Sequence, residues 1–230
     1  MQELIDAIRH HSPRTARSLI AATEADVAAV ETALGRPLPA VYRGFLRTAG
    51  RGLGLFRPFD GRYDFSVDTV RAGAAEAPSP RYLFIAADES GLDMNLYLDL
   101  DQPSDDPPVV AILRGGGSFD RKDDSFRRFL LTEVFVALRL PLLVWQTRFL
   151  AGPAGAPSPA EIEAFVRERR MPPVPHTGSW HPCYDRGDMA IEIRRPPKGG
   201  FLLVAAAAEE AWLDRLQSTL EERFGLQSLG

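Results

Sequence analysis

Residues whose types could do chemistry fall in three places along this 230-residue chain. The first is Asp99-Leu100-Asp101, the D-x-D form used by some metal-dependent transferases. Alternation along a strand puts both carboxylates on one face, so joint ligation of a divalent cation is geometrically open. Two aspartates alone fall short of a ligand set, and Asp101 begins a polar run where Asp serves turns. The second place is the proline-rich stretch holding His176, His181, Cys183 and Asp185. Zinc takes His and Cys ligands, and a nucleophilic Cys needs a nearby base. Neither C-x-x-C nor H-x-x-x-H spacing is present, and Pro182 interrupts the cluster, so solvated loop histidines are the expected state. His10-His11 reads as an exposed helix end. The third place is Gly115-Gly116-Gly117, whose amides could face a phosphate. A phosphate loop continues into Lys-Ser/Thr, and here Ser118-Phe119 follows. No Gly-x-Ser-x-Gly element and no dinucleotide fingerprint is found. The expectation is a binding protein, not an enzyme, with no catalytic residues, metal or cofactor.

Composition narrows the classes further. Hydrophobic residues make up 45% and charged residues 25%, the balance of a folded globular chain. A net charge of -4 argues against direct nucleic-acid binding. The charge is unevenly distributed. Arg36 to Arg62 holds six arginines and one acid, Asp60, whereas Tyr82 to Leu113 holds seven acids and no Lys or Arg. Sign-separated stretches can give a fold a surface that steers a partner, or can simply solvate separate faces. One cysteine, Cys183, excludes an internal disulfide framework and fits a reducing compartment. The first residues, MQELIDAIRHHSPR, lack the apolar run of a signal peptide. The stretch from Leu130 to Leu150 is interrupted by Glu133, Arg139, Pro141, Gln146 and Arg148 and cannot span a bilayer. A cytoplasmic protein with no membrane association is expected, and richness in Ala, Arg, Gly and Pro suggests a bacterial source.

The elements that must position these residues are punctuated clearly. Residues 1–22 read as a short amphipathic helix. Thr23 can cap the next helix, with Glu24 and Asp26 at its positive end and Val27, Val30 and Leu34 on one stripe. Gly35 suits the left-handed position after it, and Pro39 suits the first turn of a second helix carrying Val41, Phe45, Leu46 and Ala49. Tyr63, Phe65 and Val67 alternate as a strand, and Val70 to Ala77 reads as a helical turn. Tyr82–Ala86, Asn95–Leu100 and Val109–Leu113 read as neighbouring antiparallel strands, with a turn at Asp88-Glu89-Ser90-Gly91. Asp124 or Ser125 starts a helix through Leu138. Residues 151–159, AGPAGAPSP, read as a linker. Beyond it come a helix started by Ser158-Pro159 with a capping box to Glu161, a hairpin of Met189–Arg194 and Phe201–Ala205, and a final helix ending at Gly225. The predicted fold is α+β: residues 1–150 form an antiparallel sheet flanked by helices, and 151–230 form a small α+β extension.

Three stretches, taken in order, resemble the SUKH superfamily of SMI1/KNR4-like proteins. Thr23 to Gly50 is similar to its opening helical hairpin through Glu31, Leu34-Gly35, Leu38-Pro39, Tyr42 and Phe45-Leu46. Leu83 to Val110 looks like its acid-and-glycine turn, central strand and following strand. Asp124 to Leu131, DSFRRFLL, resembles its S-F-x-x-F-L helix. The resemblance covers about residues 20 to 140 and stops before the tail. It implies a bacterial immunity protein that binds a cognate secreted toxin, often a nuclease, and carries over no catalytic residues. It leaves open a cytosolic scaffold or regulator outside any toxin system. A basic toxin would suit an acidic surface, so the candidate contacts are Asp88, Glu89, Asp93, Asp99 and Asp101, with Tyr97 as an aromatic anchor.

Overall fold

The structure is a computed structural model that describes residues 1–115, 119–152, 157–195 and 200–229. It divides into two compact units, Met1–Ala137 and Leu138–Gly230. The described residues form eight α-helices and two antiparallel five-stranded sheets, which bears out the expected α+β class with a helix-flanked antiparallel sheet.

The first unit opens with α1 (Gln2–His11) and α2 (Pro13–Ser18). These are two helices where the sequence suggests one, because Ser12 is extended and caps α2 ahead of Pro13. In α3 (Glu24–Leu34) the Asp26 amide donates to Thr23 Oγ1 at 3.2 Å, and the Thr23 amide donates to Asp26 Oδ2 at 2.8 Å. Gly35 closes the helix with φ +66°, where a β-carbon would be strained. Glu31 accepts from the Leu38 amide and from Arg43, and so ties α3 to α4 (Ala40–Ala49). α5 (Val67–Ala72) runs into a 3-10 turn at Gly73–Glu76, and α6 (Phe126–Val134) is capped by Ser125.

The sheet of this unit runs in sequence order: β1 (Tyr63–Asp64), β2 (Tyr82–Asp88), β3 (Met94–Asp99), β4 (Val109–Leu113) and β5 (Phe119–Asp123). The strand suggested by Tyr63, Phe65 and Val67 is cut to two residues, because Ser66 caps α5. β5 has the sequence FDRKD, and its lack of apolar alternation hides it from the sequence. The main core is aromatic. Phe45 meets Phe126 edge-on at 5.3 Å, Tyr42 meets Phe126 at 5.4 Å, and Phe59 lies 5.2 Å from Phe129. Each fully buried Phe contributes on the order of 1.5–3 kcal/mol by area. A smaller cluster of Phe84, Tyr97, Val110 and Ile112 fills the other face of the sheet. Gly73 sits on it so closely that a β-carbon there would lie 2.5 Å from the Phe84 ring.

The second unit contains a sheet of order β10-β6-β9-β8-β7, comprising β6 (Trp145–Ala151), β7 (Cys183–Asp185), β8 (Met189–Arg194), β9 (Phe201–Ala207) and β10 (Gln227–Ser228). One face carries α7 (Pro159–Glu168) and α8 (Glu210–Phe224) over a core that includes Phe149, Ile162, Phe165, Ile191, Leu203 and Leu216. The sequence suggests only helix, hairpin and helix here. β6, β7 and β10 are added by pairing, which neither length nor alternation announces. The units meet at Ala137/Leu138, not at 150/151, because Trp145–Ala151 pairs residue by residue with Phe201–Ala207. Residues 153–156 of the expected linker lie outside the described residues, as do Pro196–Gly199 of the expected hairpin turn. Among the described residues, no helix is long and apolar enough to cross a membrane.

Candidate partner-binding surface

The six candidate contact residues lie on β2, β3 and the turns that flank them, and the fold does not bring them into one patch. Asp88, Glu89 and Asp93 cluster at the β2–β3 turn, where Gly91 takes φ +80° and Asp93 takes φ +54°. Asp99 and Asp101 lie at the other end of β3, about 20 Å away for six extended residues.

Two of the acids are closed off. The Asp88 side chain is fully buried and receives both Nε and Nη2 of Arg62 at 3.0 and 2.7 Å. It also accepts from the amides of Ser90 and Met94, which shapes the turn. Burial opposes its ionisation, but Arg62 and these donors outweigh it and hold the carboxyl well below the usual range. Asp99 is similarly sealed by Arg81 through two bonds of 2.7 Å, and this pairing lowers its pKa. Arg81 also lies 3.7 Å from Asp101, and Arg114 lies 4.0 Å from Asp93 and pairs with Glu76. The acid-only stretch is therefore met by arginines from outside it, and the expected acidic face is a mixed-charge one. Asp106 is also used internally. Its carboxylate accepts from Ser125 Oγ at 2.6 Å and from the Arg127 amide at 3.0 Å, fixing the start of α6.

Tyr97 is not an exposed anchor. It is 2% exposed, packs edge-on to Phe84 at 5.6 Å, and donates its hydroxyl to the Glu76 carbonyl at 3.4 Å. It is buried because the outer face of this sheet carries its own apolar cluster, where alternation alone suggests a polar face. The aromatic surface passes to its neighbours. Tyr82 lies 6.4 Å from Tyr97, and Phe119, 50% exposed, lies 6.4 Å from Tyr82. Leu92 is exposed at the β2–β3 turn beside Glu89 and Asp93. By register the Phe119 backbone is level with Asn95, but its ring reaches Tyr82, which pairs with Asp99 at the other end of β3. Sequence reading missed Phe119 because it falls next to the glycine run. Its signal was a lone aromatic in a polar segment.

A groove of about 720 Å3 borders Tyr82, between the end of α3 (Leu34, Arg36) and the Pro78-Ser79-Pro80 segment. Arg36 spans it and donates to the Pro80 carbonyl at 2.6 Å. The remaining chemical candidates are placed as follows. Cys183 is buried on β7, with Sγ 3.4 Å from the His181 carbonyl, and Asp185 pairs with Arg139. Among the described residues, no three His, Cys, Asp or Glu side chains are grouped to hold a metal. Gly116, Gly117 and Ser118 lie outside the described residues.

Neither a curated protein nor a solved structure matches the chain significantly. Residues 21–132 match the model of the SMI1 / KNR4 family (SUKH-1), and with the hairpin, five-stranded sheet and α6 in place the first unit carries a domain of that family.

Proposed function

We propose that this chain is a bacterial immunity protein that works in the cytoplasm by binding a cognate protein toxin, and that it has no catalysis of its own. The observation that carries the reading is the SUKH-1 match over residues 21–132, the part of the chain that holds two separate exposed apolar side chains, Phe119 against Tyr82 and Leu92 in the β2–β3 turn with Glu89 and Asp93. Exposed apolar side chains with charged neighbours are what a protein-binding surface uses. Glu89 and Asp93 supply the acidic part of the rim and Asp101 adds a further exposed acid at the far end of β3. Asp88 and Asp99 hold the two ends of the β2–β3 pair in shape through their arginines.

The test is co-expression with the product of the adjacent toxin gene, followed by co-purification and rescue of growth. Phe119→Ala and the pair Glu89→Lys, Asp93→Lys should each weaken capture by about tenfold or more with the fold unchanged. A chain that purifies with housekeeping partners and rescues no toxin would overturn the immunity reading in favour of a scaffold.

A further inference from the structure

The second unit contains a cleft of about 360 Å3 formed by the end of α7, by α8 and by the β7–β8 turn, and nothing in the toxin-binding reading uses it. Its lining includes four arginines, Arg169, Arg186, Arg215 and Arg223, with Glu168 and Trp212. Two of the arginines are neutralised. Arg186 makes a two-point pair with Asp188 at 2.8 and 3.0 Å, and Arg223 pairs with Glu168 at 2.7 Å. The other two make no ion pair within 4 Å among the described residues, although Arg169 adds to the positive field that lowers the Glu168 pKa. Arg215 lies over Trp212 at 4.3 Å and Arg169 over Phe165 at 4.5 Å. A guanidinium laid on a ring is fixed in orientation while its N–H edges stay available to an oxyanion. Arg186 stacks on Trp212 at 4.7 Å and Arg223 on Phe165 at 5.6 Å, so the four arginines are laid on two rings that line the same cleft.

We propose that this cleft binds a small organic phosphate monoester. Four guanidiniums against the two carboxylates of Glu168 and Asp188 leave an excess of two positive charges, which balances a dianion, and a phosphate monoester carries a charge near -2 at neutral pH. The cleft is larger than a bare phosphate requires, and Met189 and Leu216 supply apolar wall for the organic part. Its volume is near the lower end of small-molecule sites, which favours such a ligand over a segment of a macromolecule.

Calorimetric titration of the full chain with glycerol phosphate, AMP, inorganic phosphate and a phosphoserine peptide tests this. Saturable binding of at least one of the two organic phosphates is expected, with inorganic phosphate competing. Arg169→Gln and Arg215→Gln should each weaken it by about tenfold, the loss of one charge-assisted contact. Arg215 is exposed and Arg169 half-buried, so circular dichroism and thermal melting of each variant are compared with the parent, and Arg215→Gln should match it. Phe119→Ala should leave it unchanged, which separates this site from the toxin-binding surface. No saturable binding at millimolar ligand, binding of inorganic phosphate or the phosphopeptide alone, or binding that survives the double arginine variant would overturn the proposal.

Discussion

Arg81 and Asp99, eighteen residues apart, face each other across the start of β2 and the end of β3 through two hydrogen bonds of 2.7 Å. The Asp99 side chain is 6% exposed and Arg81 is 44% exposed, so the acid is the buried partner and the arginine its cover. The pair anchors the strand end, and Asp99 Oδ1 also accepts from the Asp101 amide at 3.1 Å.

Removing the cover should cost stability, not recognition. Arg81→Ala leaves a nearly buried carboxylate with only a backbone donor, and a loss of about 1–3 kcal/mol is expected. Urea denaturation at neutral pH measures it. Because the folded-state pKa of Asp99 is depressed, its contribution is present above the ordinary aspartate range and is lost as pH falls through the folded value. The destabilisation by Arg81→Ala should therefore shrink in acid, and a difference constant with pH would contradict this role.

Tyr97 gives a contrasting test. As a buried side chain against Phe84, Tyr97→Ala should lower stability by about 3–5 kcal/mol, whereas Tyr97→Phe should cost no more than about 1 kcal/mol for the long hydroxyl contact. If Tyr97→Phe abolished toxin capture with stability intact, the hydroxyl would be a contact group and its burial here would be the wrong picture.

Asp123 should behave oppositely to Asp99 with pH. Burial at the end of β5 pushes its pKa up to about 6, with Arg128 at 3.7 Å only partly offsetting. The folded state then holds a proton that the unfolded state releases, so stability falls as pH rises from the ordinary aspartate value to about 6. Asp123→Asn keeps an acceptor for the Ser125 amide and removes this dependence. Relative to the parent, the variant should gain up to about 3 kcal/mol between pH 4 and pH 7.5, an upper bound set by the size of the shift. Denaturation curves at the two pH values, subtracted between proteins, isolate the effect from other acids.

Gly73 and Gly35 separate close approach from backbone conformation. Gly73→Ala would drive a methyl into the Phe84 ring and should cost about 1–3 kcal/mol. Gly35→Ala meets no atom within 4 Å, so only its left-handed backbone is strained, at about 1 kcal/mol. Thermal melts of both variants should rank them in that order.

Arg139 is the corresponding test in the second unit. It is almost buried and binds Asp185 at 2.6 and 2.9 Å and the Gly187 carbonyl at 2.6 Å. Arg139→Ala strips the β7–β8 turn of its cation and should cost about 3 kcal/mol or more. Arg139→Lys cannot reproduce the fork and should recover only part of that, as read from denaturation midpoints.

Much of the architecture was legible residue by residue. Thr23, Asp26, Gly35, Ser125, Ser158 and Glu161 stop and start helices through bonds to backbone a few residues away, so their roles follow from local spacing. β3 and β4 were legible because their apolar residues are contiguous or alternate. The order of these signals was enough to place the chain beside its family.

Pairing and charge matching were not legible, because both depend on residues distant in sequence. β5 and β7 are strands because β4 and β8 offer them unpaired backbone, and β6 joins a sheet built mostly from residues 183–207. The acids from Asp88 to Asp101 form an open patch on paper. Arg62, Arg81 and Arg114 come from beyond that stretch to meet them, and burying Asp88 and Asp99 without those partners would be costly. The chain's local chemistry was sufficient to name the elements. Which side chains are buried and which exposed, with Tyr97 inside and Phe119 outside, was settled only when the sheet acquired two apolar faces and the long-range ion pairs closed over it.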